Sequence, residues 1–159
     1  MGFVEMKILK DKELLPKRST PVLEVTKELR IFASELFAKM QLSSGLGLAS
    51  PQVGRYISLV VFDCVQYTYN ALDSGYLFNP EIVDQSKEIK IDKEGCLSYP
   101  GEYCMVQRPT WITVKYVNLG NKEVTQTYTG LAARILSHEI DHLMGVTMKD
   151  RELENSRST

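Results

Sequence analysis

The sequence predicts one α+β domain, and three observations predict it. Apolar residues recur at helical spacing in two stretches near opposite ends of the chain. Between them lie β-branched and aromatic runs with no helical pattern separating them. The last two runs flank a turn sequence, as in an antiparallel hairpin. This order differs from the strict strand–helix–strand alternation of a parallel sheet.

Each element has a local reason. Leu29, Phe32, Ala33, Leu36 and Met40 make one apolar stripe, which predicts a helix over 26–41. A glycine-bearing loop follows over 43–54. Residues 57–63 form a β-branched apolar run and read as a buried strand. Residues 76–84 alternate but contain Pro80, so a bent or edge strand is expected. Residues 111–117 and 123–128 enclose Asn118-Leu119-Gly120-Asn121 and read as the hairpin. A last helix is expected over 130–144, with Thr129 as N-cap and Gly145 at its end. Residues 1–150 then form the single domain, and the polar stretch 151–159 reads as a frayed tail. Met6 is a candidate natural start, with 1–5 as an extension.

Composition narrows the function. The 159 residues are 43% apolar and 25% charged, enough for one sizeable core and against disorder. Nineteen Lys and Arg balance twenty Asp and Glu, so no basic excess invites nucleic acid. No run approaches the ~20 apolar residues that span a bilayer. The N-terminus lacks a secretory pattern, and Met6 breaks the myristoylation pattern. An odd count of three cysteines argues for reduced thiols rather than a disulfide framework. Cys64 and Cys104 are expected as buried thiols.

Both histidines of the chain fall in His138-Glu139-Ile140-Asp141-His142. Four residues apart on a helix, two imidazoles stack one turn above the other and can hold a single ion. Glu139 projects beside that ion, within reach of a water. Leu131 and Ile135 extend the same face, which places the ion at the wall of the core. A catalytic ion usually has three protein ligands and a water. Downstream, Asp150 is the serious acidic candidate. Upstream, Cys96 is a better one, set between Gly95 and the Pro100-Gly101 turn. Residues 45–54 contain GxG but lack a dinucleotide fingerprint, since Ser50 and Pro51 interrupt it. That segment leaves a closely approachable backbone and one carboxamide, Gln52, able to donate to an oxyanion.

Three segments, GLGLASPQ at 45–52, EGCLS at 94–98 and HEIDH at 138–142, together resemble the peptide deformylase family. The likeness extends over roughly 6–151. It implies mostly antiparallel sheets around a central C-terminal helix carrying HExxH. It implies metal ligation by Cys96, His138 and His142, with Fe(II) as native ion and Zn, Ni or Co as substitutes. It implies Glu139 as general base and acid, and the Gln52 amide with the Leu97 N–H as oxyanion donors. Gly47 would pair with the substrate backbone, and Leu46, Leu131 and Ile135 would line a methionine pocket. Glu94 would support the site. The implied reaction is hydrolysis of the formyl group from N-formylmethionyl nascent peptides, releasing formate. A cytoplasmic or organellar monomer working near ribosomes, without direct nucleic-acid or membrane contact, fits that activity. Ser50 replaces the second residue of a familiar Ala-Ala pair, and the long C-terminal helix of many bacterial members is missing. Arg134 is expected to contact the substrate backbone or acidic residues, or to be a solvated side chain.

Two other readings stay open on the residues. One is a zinc peptidase with a downstream ligand. The other is a metal-stabilised binding domain without catalysis, which would need a fourth protein ligand.

Overall fold

The computed structural model describes residues 6–153. Helix α1 spans Lys27–Leu42, and the Thr26 side chain caps it by accepting from the Leu29 N–H. After α1 the chain forms a short strand β1, Gly47–Ala49, and a 3-10 turn, Ser50–Val53. Strand β2, Leu59–Asp63, precedes one helical turn, α2, Val65–Thr68. Strands β3 (Ser74–Gln85), β4 (Ile89–Gly95), β5 (Tyr103–Pro109), β6 (Trp111–Val117) and β7 (Glu123–Thr129) follow. Helix α3 spans Gly130–Leu143, and a final turn α4 spans Met148–Arg151.

A five-stranded antiparallel sheet in the order β1-β2-β3-β6-β7 forms the middle layer. Leu59 and Val61 of β2 pack with Ala33, Leu36 and Met40 of α1. Val60 and Phe62, pointing the other way, pack with Ala132, Ala133, Leu136 and Ile140 of α3. A strand covered on both faces must be apolar at every position, which explains the unbroken run 59–62. The ring of Phe62 meets Tyr128 edge-on at 5.6 Å. Truncating Leu36, fully buried here, removes contacts worth about 2–5 kcal/mol.

Strands β4 and β5 form a separate two-stranded ribbon. It covers the face of α3 that the main sheet leaves open. Eleven residues of α3 are buried, including five that ionise or ligate: Arg134, His138, Glu139, Asp141 and His142. The C-terminal helix is thus the centre of the molecule, between sheet and ribbon.

Four expectations need correction. Of the two alternatives for residues 76–84, the bent strand holds and the edge does not: they belong to the interior strand β3. Pro80 is tolerated because β3 shifts register between Phe78 and Glu81, with Asn79 at φ +51° beside it. The ribbon is absent from the expected elements, since charged residues alternate through 89–95 and hide the strand period. Thr129 stands at the N-cap of α3 but its side chain makes no cap; the Gly130 N–H donates to the Thr110 carbonyl instead. Residues 151–153 are not frayed. Arg151 ends α4 and pairs with Asp141, Glu152 bridges to Val106, and the Leu153 N–H donates to the Met105 carbonyl. The rest of the expected tail, 154–159, and the extension 1–5 lie outside the described residues.

Candidate active site and metal centre

The site lies where α3, β1 and the end of β4 meet. His138 and His142 stand one turn apart on α3, ring centroids 5.1 Å apart. Cys96 follows the last residue of β4, and its Sγ lies 3.4 Å from His142 Nε2. Ligand atoms of Cys96, His138 and His142 all lie within 4.8 Å of one another. A tetrahedral ion with ordinary Zn–S and Zn–N bonds would hold a sulfur and a nitrogen roughly 3.5 Å apart. The residues therefore fit a divalent ion. Among the described residues this is the group of donors able to hold one. Asp150 does not join it; its Oδ2 accepts from the Thr147 N–H and caps α4. That removes Asp150, the serious downstream candidate of the peptidase reading.

The next ring of residues fixes the ligands. Glu94 Oε1 accepts from His138 Nδ1 at 2.9 Å and from Arg108 Nη2 at 3.0 Å. Glu94 Oε2 accepts from Arg108 Nε at 2.9 Å and Arg134 Nη1 at 2.7 Å. With Nδ1 so committed, His138 presents Nε2 to the centre. Burial pushes the Glu94 carboxyl up, but its bonds to His138 and Arg108 outweigh this and hold it at about 2. Arg108 also donates to Asp141 at 2.7 Å, and Arg151 donates to both Asp141 oxygens at 3.0 Å. The ribbon, α3 and α4 are thereby joined through buried charge.

Electrostatics around the centre favour a cation. Burial disfavours a charged His138, yet Glu139, Cys96 and Glu94 overcome this and lift it to about 10. Burial and then the charge of His138 hold His142 well below the ordinary histidine value. Such a pocket stabilises one added positive charge and keeps the second imidazole neutral, as a ligand must be. Burial raises Glu139 to about 7 against the pull of His138, with Glu94 adding to the rise. Its Oε1 is buried and has no hydrogen-bond partner. An orphaned carboxylate oxygen beside the donor set is where a water would be held.

The other candidates converge on the same place. Gln52 is buried; its Oε1 accepts from the Ala49 N–H at 2.9 Å, which aims Nε2 at the centre. That Nε2 donates to Ser98 Oγ at 3.1 Å and approaches Cys96 Sγ at 3.5 Å. Leu46, Gly47, Leu97, Leu131 and Ile135 line a cleft of about 1070 Å³ that reaches Cys96, His138 and Glu139. Gly47 lies on β1, the edge of the main sheet. Arg134 is not a solvated side chain; of the alternatives, contact with an acidic residue is the one the structure shows. It is buried, paired with Glu94, and donates to the Val106 and Lys90 carbonyls. Burial raises Cys64 to about 12 and Cys104 to about 11, which leaves both thiols inert.

The sequence reading assigned no role to Ser98, Asp141 or Arg108. Ser98 and Asp141 sat inside quoted motifs. Arg108 left a fainter signal: it continues the inward row Cys104, Val106, Arg108, and a charge on an inward row implies a buried partner.

Comparison with known proteins agrees with this geometry. The family model described as Polypeptide deformylase matches residues 5–158. Peptide deformylase of Rhodopseudomonas palustris (strain BisB5) is 39% identical over 151 residues, covering 94% of this chain and 86% of the relative. The crystal structure of peptide deformylase from Thermotoga maritima superposes with TM-score 0.86 at 34% identity, over 93% of this chain and 97% of the other. A Met-Ala-Ser-bound class I type b peptide deformylase from Acinetobacter baumannii superposes with TM-score 0.84 at 30% identity, over 92% and 97% of the two chains.

Proposed function

The chain belongs to the polypeptide deformylase family, and from that premise we propose how its own residues remove the formyl group from nascent peptides. One observation carries the reading: the orphaned Glu139 Oε1 stands beside the Cys96, His138 and His142 donors, in the cleft that Leu46, Leu131 and Ile135 help to line.

Cys96, His138 and His142 would hold a divalent ion, which would supply Lewis acidity and lower the pKa of a water towards neutrality. We assign Fe(II) as the native ion; a thiolate with two imidazoles also suits Zn, Ni and Co. Glu139 takes one proton from the attacking water. The oxygen adds to the formyl carbon, and the carbonyl electrons move to its oxygen. The Gln52 Nε2–H and the Leu97 N–H hold that oxyanion. Glu139 then passes its proton to the nitrogen as the carbon–nitrogen bond breaks. Formate and a free methionyl amine result.

Binding follows from the cleft walls. Leu46, Leu131 and Ile135 take the methionine side chain. The Gly47 backbone pairs with the substrate as an added strand, since β1 is an edge. The Met-Ala-Ser bound by the Acinetobacter relative, a methionine-first tripeptide, supports a peptide ligand of this kind. We further infer a monomer acting in the cytoplasm, or an organelle, on chains emerging from ribosomes. No described helix is long and apolar enough to cross a membrane.

Formate release from an N-formyl-Met tripeptide, with Fe(II)-loaded protein under anaerobic conditions, tests the assignment. Rapid release that Glu139→Ala loses while keeping its metal supports it. Folded, metal-replete wild-type protein that releases no formate would refute it.

A further inference from the structure

The ribbon carries an unusual outer face. Its inward residues, Glu94, Cys104, Val106 and Arg108, are buried against the rest of the molecule. The outward residues include Ile89, Ile91, Tyr103 and Met105, which are 47%, 51%, 63% and 36% exposed. Register makes them one patch. Ile89 stands opposite Pro109, Ile91 opposite Gln107, Lys93 opposite Met105 and Gly95 opposite Tyr103. Ile91 and Met105 are therefore diagonal neighbours on one face. A single exposed isoleucine requires no explanation, but a contiguous row on a solvent-facing strand pair does.

Leu153 runs along the edge of β5 through its bond to the Met105 carbonyl. The patch is continuous with the catalytic cleft. Lys93, Gly95 and Tyr103 line the cleft and stand on this same face.

We propose that this face docks apolar side chains of the formylated polypeptide itself, downstream of the residues held at the centre. The inference rests on the deformylase reading of the cleft. A formyl group marks the N-terminus of a longer chain, so everything after the first residues must leave through the cleft mouth. Ile91 lies four residues along β4 from Gly95, roughly 13 Å at the strand rise. An extended substrate that passes Gly95 at the cleft reaches Met105, opposite Lys93, about two residues further on and Ile91 about four residues further on. Apolar residues at positions five to eight would bury the patch and bind more tightly than polar ones. The contact is remote from the reacting carbonyl and equal in ground and transition states. It therefore lowers KM and leaves kcat unchanged.

The test compares three substrates on the metal-loaded enzyme. These are an N-formyl-Met tripeptide, a decapeptide with Leu and Phe at positions five to eight, and a decapeptide with Ser and Gln there. Wild-type enzyme should show a KM about fivefold lower for the apolar decapeptide, with equal kcat. The double variant Ile91→Ser, Met105→Ser should lose that difference and turn over the tripeptide as wild type does. Equal KM for the two decapeptides on wild type overturns the proposal without any variant. A variant that keeps the difference overturns it too. If the double substitution merely converts a dimer to a monomer, the face belongs to a second copy and the proposal falls. Tripeptide turnover reports the deformylase reading separately, so failure of one is not mistaken for failure of the other.

Discussion

Gly47 has no side chain, and the space a Cβ would need is taken. Such an atom would lie 2.7 Å from Glu139 Oε2 and 2.9 Å from Ile135 Cγ2. The edge strand can approach α3 this closely only with glycine. Gly47→Ala should displace the proton-transferring carboxylate and lower kcat/KM by about ten- to a hundredfold, as overpacking costs of 1–3 kcal/mol imply. Steady-state kinetics beside a melting curve would separate this from simple unfolding. Cys96 makes a different prediction. Cys96→Ala should leave a folded chain that no longer retains metal through gel filtration, as metal analysis would show. Retained metal would return weight to a ligand set without the thiolate. Glu139 gives the acid side of the pH profile. Only its carboxylate form accepts a proton, and burial raises it to about 7. A pH profile of kcat/KM should therefore decline as pH falls through about 7.

Between elements, the dominant feature is buried charge. Glu94 on β4 joins Arg108 on β5 with Arg134 and His138 on α3. Asp141 carries the connection on to Arg151 of α4. Removing one member leaves charges unpaired in a dry interior, the costly direction for such a pair. Glu94→Gln should destabilise the protein by about 3–5 kcal/mol, measured by urea unfolding. It should also weaken metal binding about ten- to a hundredfold, because His138 loses the partner that orients it. The linkage has a definite sign. Glu94 titrates at about 2 in the folded chain against 4.5 ordinarily, so its stabilisation is present above 4.5. That stabilisation, on the order of 3 kcal/mol, is lost as pH falls from 4.5 to 2. The stability gap between wild type and Glu94→Gln should therefore close across that window.

At the scale of the whole molecule, the centre ties sheet, helix and ribbon together, so metal removal should loosen all three. A ligand held by the folded state at a hundred times its Kd contributes about 2.7 kcal/mol. Chelation should lower the melting temperature of wild type and leave Cys96→Ala unchanged. Much of this architecture is legible in sequence because it rests on local pattern. Leu29 to Met40 spell out α1, Asn118 to Asn121 the hairpin turn, and His138 to His142 a ligand pair that the period of a helix aligns. Cys96 and Gln52 stood out from their local settings as candidates, but no spacing links a loop residue to a helix across the chain, so the family's motifs were needed to join them to His138 and His142. The ribbon, the interior place of β3 and the anchoring of Arg151 to Leu153 escaped sequence reading. Each depends on pairing between segments far apart in the chain. The tertiary structure alone brought Arg108 and Arg134 to Glu94, because a charge shows no partner until burial removes the water that would otherwise solvate it.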